Sequence, residues 1–153
     1  MRTVSWSLVG LLALAPVCAW MNAQEKAPDK IPILNEWKGI HCGVEKPAQL
    51  IIRDAKAWAD LWAKVHSSVE PKPALPEVDF QKQIVVAVFA GTKRTGGYSI
   101  RIRDIRHDAK ADKLLVFVEE TSPPPGSITI QVLTQPYHMV LMPKTDKPIE
   151  FRR

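Results

Sequence analysis

A chain of 153 residues, 46% hydrophobic and 24% charged, has room for one domain with a core that needs neither metal nor disulfide to hold it. The net charge of +5 is small and spread along the chain, and with no RNP-like aromatic pattern and no basic recognition helix it does not argue for nucleic acid, so no nucleic-acid partner is expected. The histidines His41, His66, His107 and His138 show neither an i, i+4 pair nor an HExxH pattern, so no metal and no other cofactor is expected.

The N-terminus reads first as an address. Met1 and Arg2 give a positive start, residues 4–17 are apolar apart from Ser5 and Ser7, and small residues follow. This is the pattern of a secretory signal over residues 1–23, cleaved after Ala19 or Ala23 and too short for a comfortable membrane span. Export to a periplasm or to the medium is the expectation, with no transmembrane segment after processing. Lipid anchoring at Cys18 is disfavoured by Val17, which stands where lipoprotein signals carry Gly, Ala or Ser. With the signal removed, Cys42 is the one remaining thiol, no internal disulfide can form, and Cys42 is expected as a small buried hydrophobe. Residues 24–36, polar and bearing Pro28 and Pro32, read as a flexible leader, and residues 37–153 as a single domain.

Residues 37–44 hold a first short strand and residues 49–53 a clearer second. The second runs into Asp54, an N-cap for the one helix, residues 55–66. Trp58, Leu61, Trp62 and Val65 fall at i, i+3, i+4 and i+7, which predicts an apolar stripe against a sheet with Lys56, Asp60 and Lys64 outward. The two tryptophans are read as packing, not as a ligand site. Pro71, Pro73 and Pro76 make a stiff connector. Residues 84–90 are continuously apolar and predict a strand covered on both faces. Tyr98, Ile100 and Ile102 alternate with Ser99, Arg101 and Arg103, the period of a strand with one wet face.

Between those two strands, residues 91–98 read as a hairpin tip in which Gly96 and Gly97 take positive φ and the cations reach solvent. Residues 104–112 read as a charged turn, and residues 114–118, apolar on both parities, as a central strand. Pro123, Pro124, Pro125 and Gly126 form a rigid exposed loop of polyproline character. Ile128, Ile130 and Val132 alternate with Thr129 and Gln131, predicting a further strand that Pro136 interrupts. Residues 137–142 and 149–151 supply the last strands. The sum is an α+β, β-dominated domain of about seven mostly antiparallel strands with one early amphipathic helix, as a sandwich or a strongly coiled sheet.

A search for chemistry is negative. His41 and Cys42 are neighbours on a strand and point to opposite faces, and Glu119 and Glu120 diverge for the same reason. There is no Gly-x-Ser-x-Gly elbow, and Ser99 has no placed base. Residues 91–97 lack both the Gly-Lys-Ser/Thr order and the following helix of a phosphate loop. The expectation is a protein that is not an enzyme. What remains is surface: Lys93, Arg94, Thr95, Gly96, Gly97 and Tyr98 on one loop, and Pro123, Pro124 and Pro125 on another. Rigid loops carrying an aromatic and an arginine are the usual material of protein-binding hot spots.

Residues 85–91 (Val-Val-Ala-Val-Phe-Ala-Gly) with 95–100 (Thr-Gly-Gly-Tyr-Ser-Ile), then 116–120 (Val-Phe-Val-Glu-Glu), 124–126 (Pro-Pro-Gly), 134–138 (Thr-Gln-Pro-Tyr-His) and 143–144 (Pro-Lys) resemble, in order, the C-terminal domain of PrcB-type subunits of bacterial protease complexes. The resemblance covers about residues 50–151. It implies a secreted or envelope-attached protein that binds a protein partner, a protease in the first place, and supports its assembly or stability. Residues 95–98 are also similar to the Thr-Thr-Gly-Tyr loop of chagasin-type cysteine-protease inhibitors, although the Asn-Pro before that loop and an Arg-Pro-Trp/Phe loop are absent. A direct protease inhibitor acting through residues 91–98 is therefore the alternative function.

Overall fold

An unbroken apolar run can show neither face to water, and this chain has two such runs that pair with each other. In the computed structural model, which describes residues 29–153, they are β3 (Gln83–Phe89) and β6 (Tyr137–Pro143), joined antiparallel from Gln83↔Pro143 to Phe89↔Tyr137. Flanking them are β1 (Asn35–Gly39) on β6 and β2 (Ala48–Ile52) on β3, giving a four-stranded sheet in the order β1-β6-β3-β2. A second sheet, β4-β5-β7, is made by β4 (Ser99–Asp108), β5 (Lys113–Thr121) and β7 (Ile149–Arg152). Every pairing is antiparallel except that of β5 with β7. The expected signal segment and the first residues of the expected leader lie outside the described residues.

The two faces of the β3–β6 pair bury different partners. Val85, Ala87, Phe89, Met139 and Leu141 pack on helix α1 (Ala55–Val65), while Ile84, Val86, Val88, Val140 and Met142 meet Ile100, Ile102, Ile105, Leu114, Val116 and Val118 of the second sheet. The result is three layers: helix, sheet, sheet. Asp54 caps the helix, its carboxylate accepting the Ala57 amide at 2.8 Å, and the predicted stripe of Trp58, Leu61, Trp62 and Val65 is buried. Trp58 and Trp62 also fix the proline connector, for their indole N–H groups donate to the carbonyls of Pro76 at 3.0 Å and Pro73 at 3.1 Å.

Four local expectations are corrected. Residues 91–98 are not a hairpin tip, because β3 and β4 lie in different sheets and the segment crosses between them. Residues 128–132 are not a strand; they belong to the return crossing from β5 to β6. Residues 104–108 are not a turn but the second half of β4, where a bulge at Arg103 breaks the alternation and turns both Asp104 and Ile105 inward. The Asp104 carboxylate takes the Arg106 guanidinium through one oxygen, at 3.0 and 2.6 Å, and both Arg103 and Arg106 lie over the Phe117 ring. Finally, the end of the expected leader is held rather than loose. The Asp29 carbonyl accepts the His107 amide, the Ile31 amide donates to Ile105, and Leu34 donates to Leu141. Ile31 and Ile33 pack on the inter-sheet core, so the segment covers the outer edge of β4 before crossing to the first sheet.

One side chain ties three strands of the two sheets. His138, buried on β6, accepts the Ile102 amide of β4 on Nδ1 at 2.8 Å, so its proton sits on Nε2, which donates to Glu36 of β1 at 3.1 Å. Burial holds the imidazole below its ordinary value of 6.5; Glu36 pulls the other way, while Lys38 and Arg101 reinforce the lowering. The unfolded chain therefore takes up this proton first as pH falls, so the contribution is complete above about pH 6.5 and declines below it. We expect His138→Leu, which leaves the Ile102 amide unpaired in the core, to cost about 1–3 kcal/mol at pH 7.5 in urea unfolding. That gap should hold from pH 7.5 to about 6.5 and narrow as the pH falls further to 5; a constant gap would remove the imidazole's protonation from the account.

Candidate functional site

The three-layer core forces the chain to change sheets twice at the same end of the sandwich. One end of β1, β2, β3 and β6 is level, through the pairs Gly39↔Tyr137, Ala48↔Phe89 and Phe89↔Tyr137, and the Ser99↔Thr121 end of the second sheet faces it. Residues 90–98 cross from β3 to β4 there, and residues 122–136 cross back from β5 to β6. The two connections run antiparallel and are joined. Lys93 and Thr134 exchange main-chain hydrogen bonds at 2.8 and 3.0 Å, Gly96 donates to the Ile130 carbonyl at 2.9 Å, and the Thr134 hydroxyl donates to the Thr95 carbonyl at 3.1 Å. The β1–β2 connection adds a third layer, with Thr92 donating to Glu45 and Gln135 to Ile40.

Glycine is required at two points of this junction. Gly91 has φ +71, and a Cβ there would stand 2.6 Å from Pro47 Cδ. Gly97 has φ +87 and lies against Pro123, whose Cβ would be 3.1 Å from the added carbon. The structure thus brings the two sequence-predicted loops into contact, Gly97 on Pro123, but changes what each offers. Lys93 does not reach into solvent: its ammonium pairs with Glu120 at 2.8 Å, half-buried, and lies 5.4 Å from the centre of the half-buried Tyr98 ring. Arg94 is exposed, and Thr95 and Gly96 are half-buried under the second connection. Pro124 and Pro125 are exposed in a turn that Ser127 closes, its amide and hydroxyl both donating to the Pro124 carbonyl at 3.1 and 2.7 Å.

The most exposed apolar surface is next to the predicted residues, not on them. Ile128 is fully exposed, Ile130 is 77% exposed, and Val132 and Leu133 are 41% and 58% exposed, with Ile40 close by on the third connection. Thr129, between the two isoleucines, is the residue that turns partly inward. So the alternation read as a paired strand is real, with its apolar face in water. A signal for it was present: from Thr121 to Pro143 the chain has no Asp, Glu, Lys or Arg, in a protein where such residues make up 24%. A solvated crossing loop has no packing reason to lack charge.

Other parts of the molecule offer less. A separate open groove of about 640 Å³ lies at the opposite end of β3, between the proline connector and the start of α1, lined by Trp58, Leu75, Val78 and Phe80. His41 is exposed while Cys42 is buried, its thiol directed at the Gln135 carbonyl and held above its ordinary value by burial, hence protonated and unreactive. Glu119 pairs with Arg101 and Glu120 with Lys93, on separate partners as their strand geometry requires. Among the described residues, no three of His, Cys, Asp and Glu converge as metal ligands would, and no helix is long and apolar enough to cross a membrane.

Residues 84–143 match the family model described as PrcB C-terminal, in agreement with the resemblance carried by the sequence landmarks. The matched stretch runs from β3 to β6 and includes both crossing connections; β1, β2, α1 and β7 lie outside it. No curated protein and no solved structure matches the chain.

This geometry separates residues that build the junction from residues that merely stand on it. Gly91→Ala should lower stability by about 1–3 kcal/mol in thermal or urea melts, through strained φ and the contact with Pro47. Ile128→Asp should leave stability within about 0.5 kcal/mol of the parent. If the two variants melted alike, the division would be wrong.

Proposed function

We propose that this chain is an exported, non-enzymatic binding module of the PrcB type, which docks a protein partner on the sandwich end built by residues 91–98 and 123–133. A protease is the first partner to test, because the family resemblance implies association with one, and the module's role would be to support that protease's assembly or stability. The observation that carries the reading is the cluster of Ile128, Ile130, Val132 and Leu133, standing in water on a segment anchored to the core through Lys93, Gly96 and Thr134. Scattered exposed aliphatics need no explanation, whereas a contiguous uncharged patch on a fixed backbone is the form of an interaction surface. Arg94 lies on the anchoring loop and is suited to a polar rim. The N-terminal pattern of residues 1–23 supports export.

Inhibition by a projecting hairpin is the weaker reading, since residues 91–98 lie flat under the second connection. Co-purification from the native envelope, followed by titration of the recovered partner, tests the proposal. Ile128→Asp with Ile130→Asp should weaken binding at least about 30-fold, the equivalent of about 2 kcal/mol. Arg94→Ala should weaken it only a few-fold. An unchanged affinity for the double variant would rule this surface out, and loss of the partner's activity on adding the chain would replace support with inhibition.

A further inference from the structure

We infer that residues 128–133 bind as an added β-strand, lying along the open edge of a sheet in the partner protein, with Ile128, Ile130 and Val132 entering successive apolar sites on it. The inference rests on the docking surface proposed above and names how that surface is used. Its first support is spacing: the three side chains stand at i, i+2 and i+4, the repeat of one face of a strand, and not at the i, i+3, i+4, i+7 spacing of a helix in a groove. The second is the main chain. In this segment the Ile130 carbonyl accepts from Gly96 and Val132, while the amides of Ile128, Thr129, Ile130, Gln131 and Leu133 have no acceptor among the described residues.

The third support is electrostatic. With no Asp, Glu, Lys or Arg between Thr121 and Pro143, the segment can leave water without desolvating a charge, and it carries none of the charges that exposed edges use to refuse a strand. A second copy of this chain is the competing occupant, which the sedimentation arm of the test below distinguishes. A partner's sheet edge with flanking side chains covers the segment and its rim together.

The free segment holds one kink that the bound form would open. Val132 donates to the Ile130 carbonyl at 3.0 Å, an i to i+2 turn around Gln131, whose φ is not positive. Such a turn centres near φ −75°, which proline also adopts. Gln131→Pro therefore suits the free fold while deleting one amide that an added strand would use.

The test uses the purified chain and the partner recovered by co-purification, with binding followed by calorimetry and amide exchange followed by mass spectrometry. Strand addition predicts that Gln131→Pro weakens binding at least tenfold, that Gln131→Ala stays within twofold, and that the parent's alternate amides at Thr129, Gln131 and Leu133, on the edge away from Gly96, become protected in the complex. If Gln131→Pro binds like the parent while Ile128→Asp with Ile130→Asp does not, the surface stands and strand addition is overturned. If neither variant matters, both the surface and the strand fail. Recovery of no partner, or a concentration-dependent dimer in sedimentation that Ile130→Asp dissolves, would likewise overturn the partner's sheet edge as the occupant. Exchange in the parent complex decides the matter even if the proline variant folds poorly.

Discussion

Two adjacent strands without a polar face govern this architecture. β3 carries Ile84 to Phe89 and β6 carries His138 to Met142, and nearly every one of these side chains is buried on one side of the sheet or the other. Burying a Val, Leu, Ile or Met side chain is worth about 1.5–3 kcal/mol, so leaving either face of the pair in water would cost more than a domain of this size has to spare. A helix must cover one face and a second sheet the other. Even His138 obeys the rule, because its two ring nitrogens are used by Ile102 and Glu36, which converts a polar residue in the core into the link between the sheets.

Layering then dictates where the loops go. A chain whose central strands sit in one sheet and whose next two strands sit in the other has to cross between them, and it crosses twice at one end. Crossing segments that pass over the end of a core meet each other, and their backbone groups need partners; the Lys93–Thr134 bridge and the Gly96–Ile130 bond supply them. Gly91 and Gly97 are where the crossing comes closest to Pro47 and Pro123. The sequence landmarks Thr-Gly-Gly-Tyr and Pro-Pro-Gly are thus two halves of one junction, although they stand almost thirty positions apart in the chain.

Much of the fold was legible because it follows from local period. The helix stripe at Trp58, Leu61, Trp62 and Val65, the doubly covered strand at residues 84–89 and the β-dominated class all come from counting apolar positions against 3.6 or 2. The failures share a cause as well. Periodicity tells which residues alternate but not whether a partner strand is present, so Ile128, Ile130 and Val132 read as paired although their apolar face is in water. Proximity in sequence also made residues 91–98 look like a hairpin, since two strands joined by a short glycine-rich link usually pair; here the link changes sheets. At Arg103 a single inserted residue shifted the phase of β4 and disguised its second half as a turn. Of the candidate site, the two loops and the charge-free run beside them stand in the sequence, whereas the contact between the loops and the facing of Ile128 and Ile130 into water depend on topology.

That exposure is tolerable because of where the segment is held. Ordering a free loop at the moment of binding costs about 1–2 kcal/mol per residue in backbone entropy, enough to cancel the gain from burying one aliphatic side chain on each. Residues 128–133 have part of that ordering already: the Pro123–Pro125 run stiffens the approach, Gly96 fixes Ile130 from below, and Thr134 is pinned by Lys93 and Thr95. The gain from covering Ile128 and Ile130 is then less offset by ordering, which is what preorganisation means in a binding loop. The same anchoring limits the risk of an uncharged exposed segment, because a backbone tied down at Ile130 and Thr134 is less able to slide into register with arbitrary strands. On the docking proposed above, this combination of rigidity and apolar exposure is what the segment would need, whereas a loop made only to connect β5 to β6 would gain nothing from it.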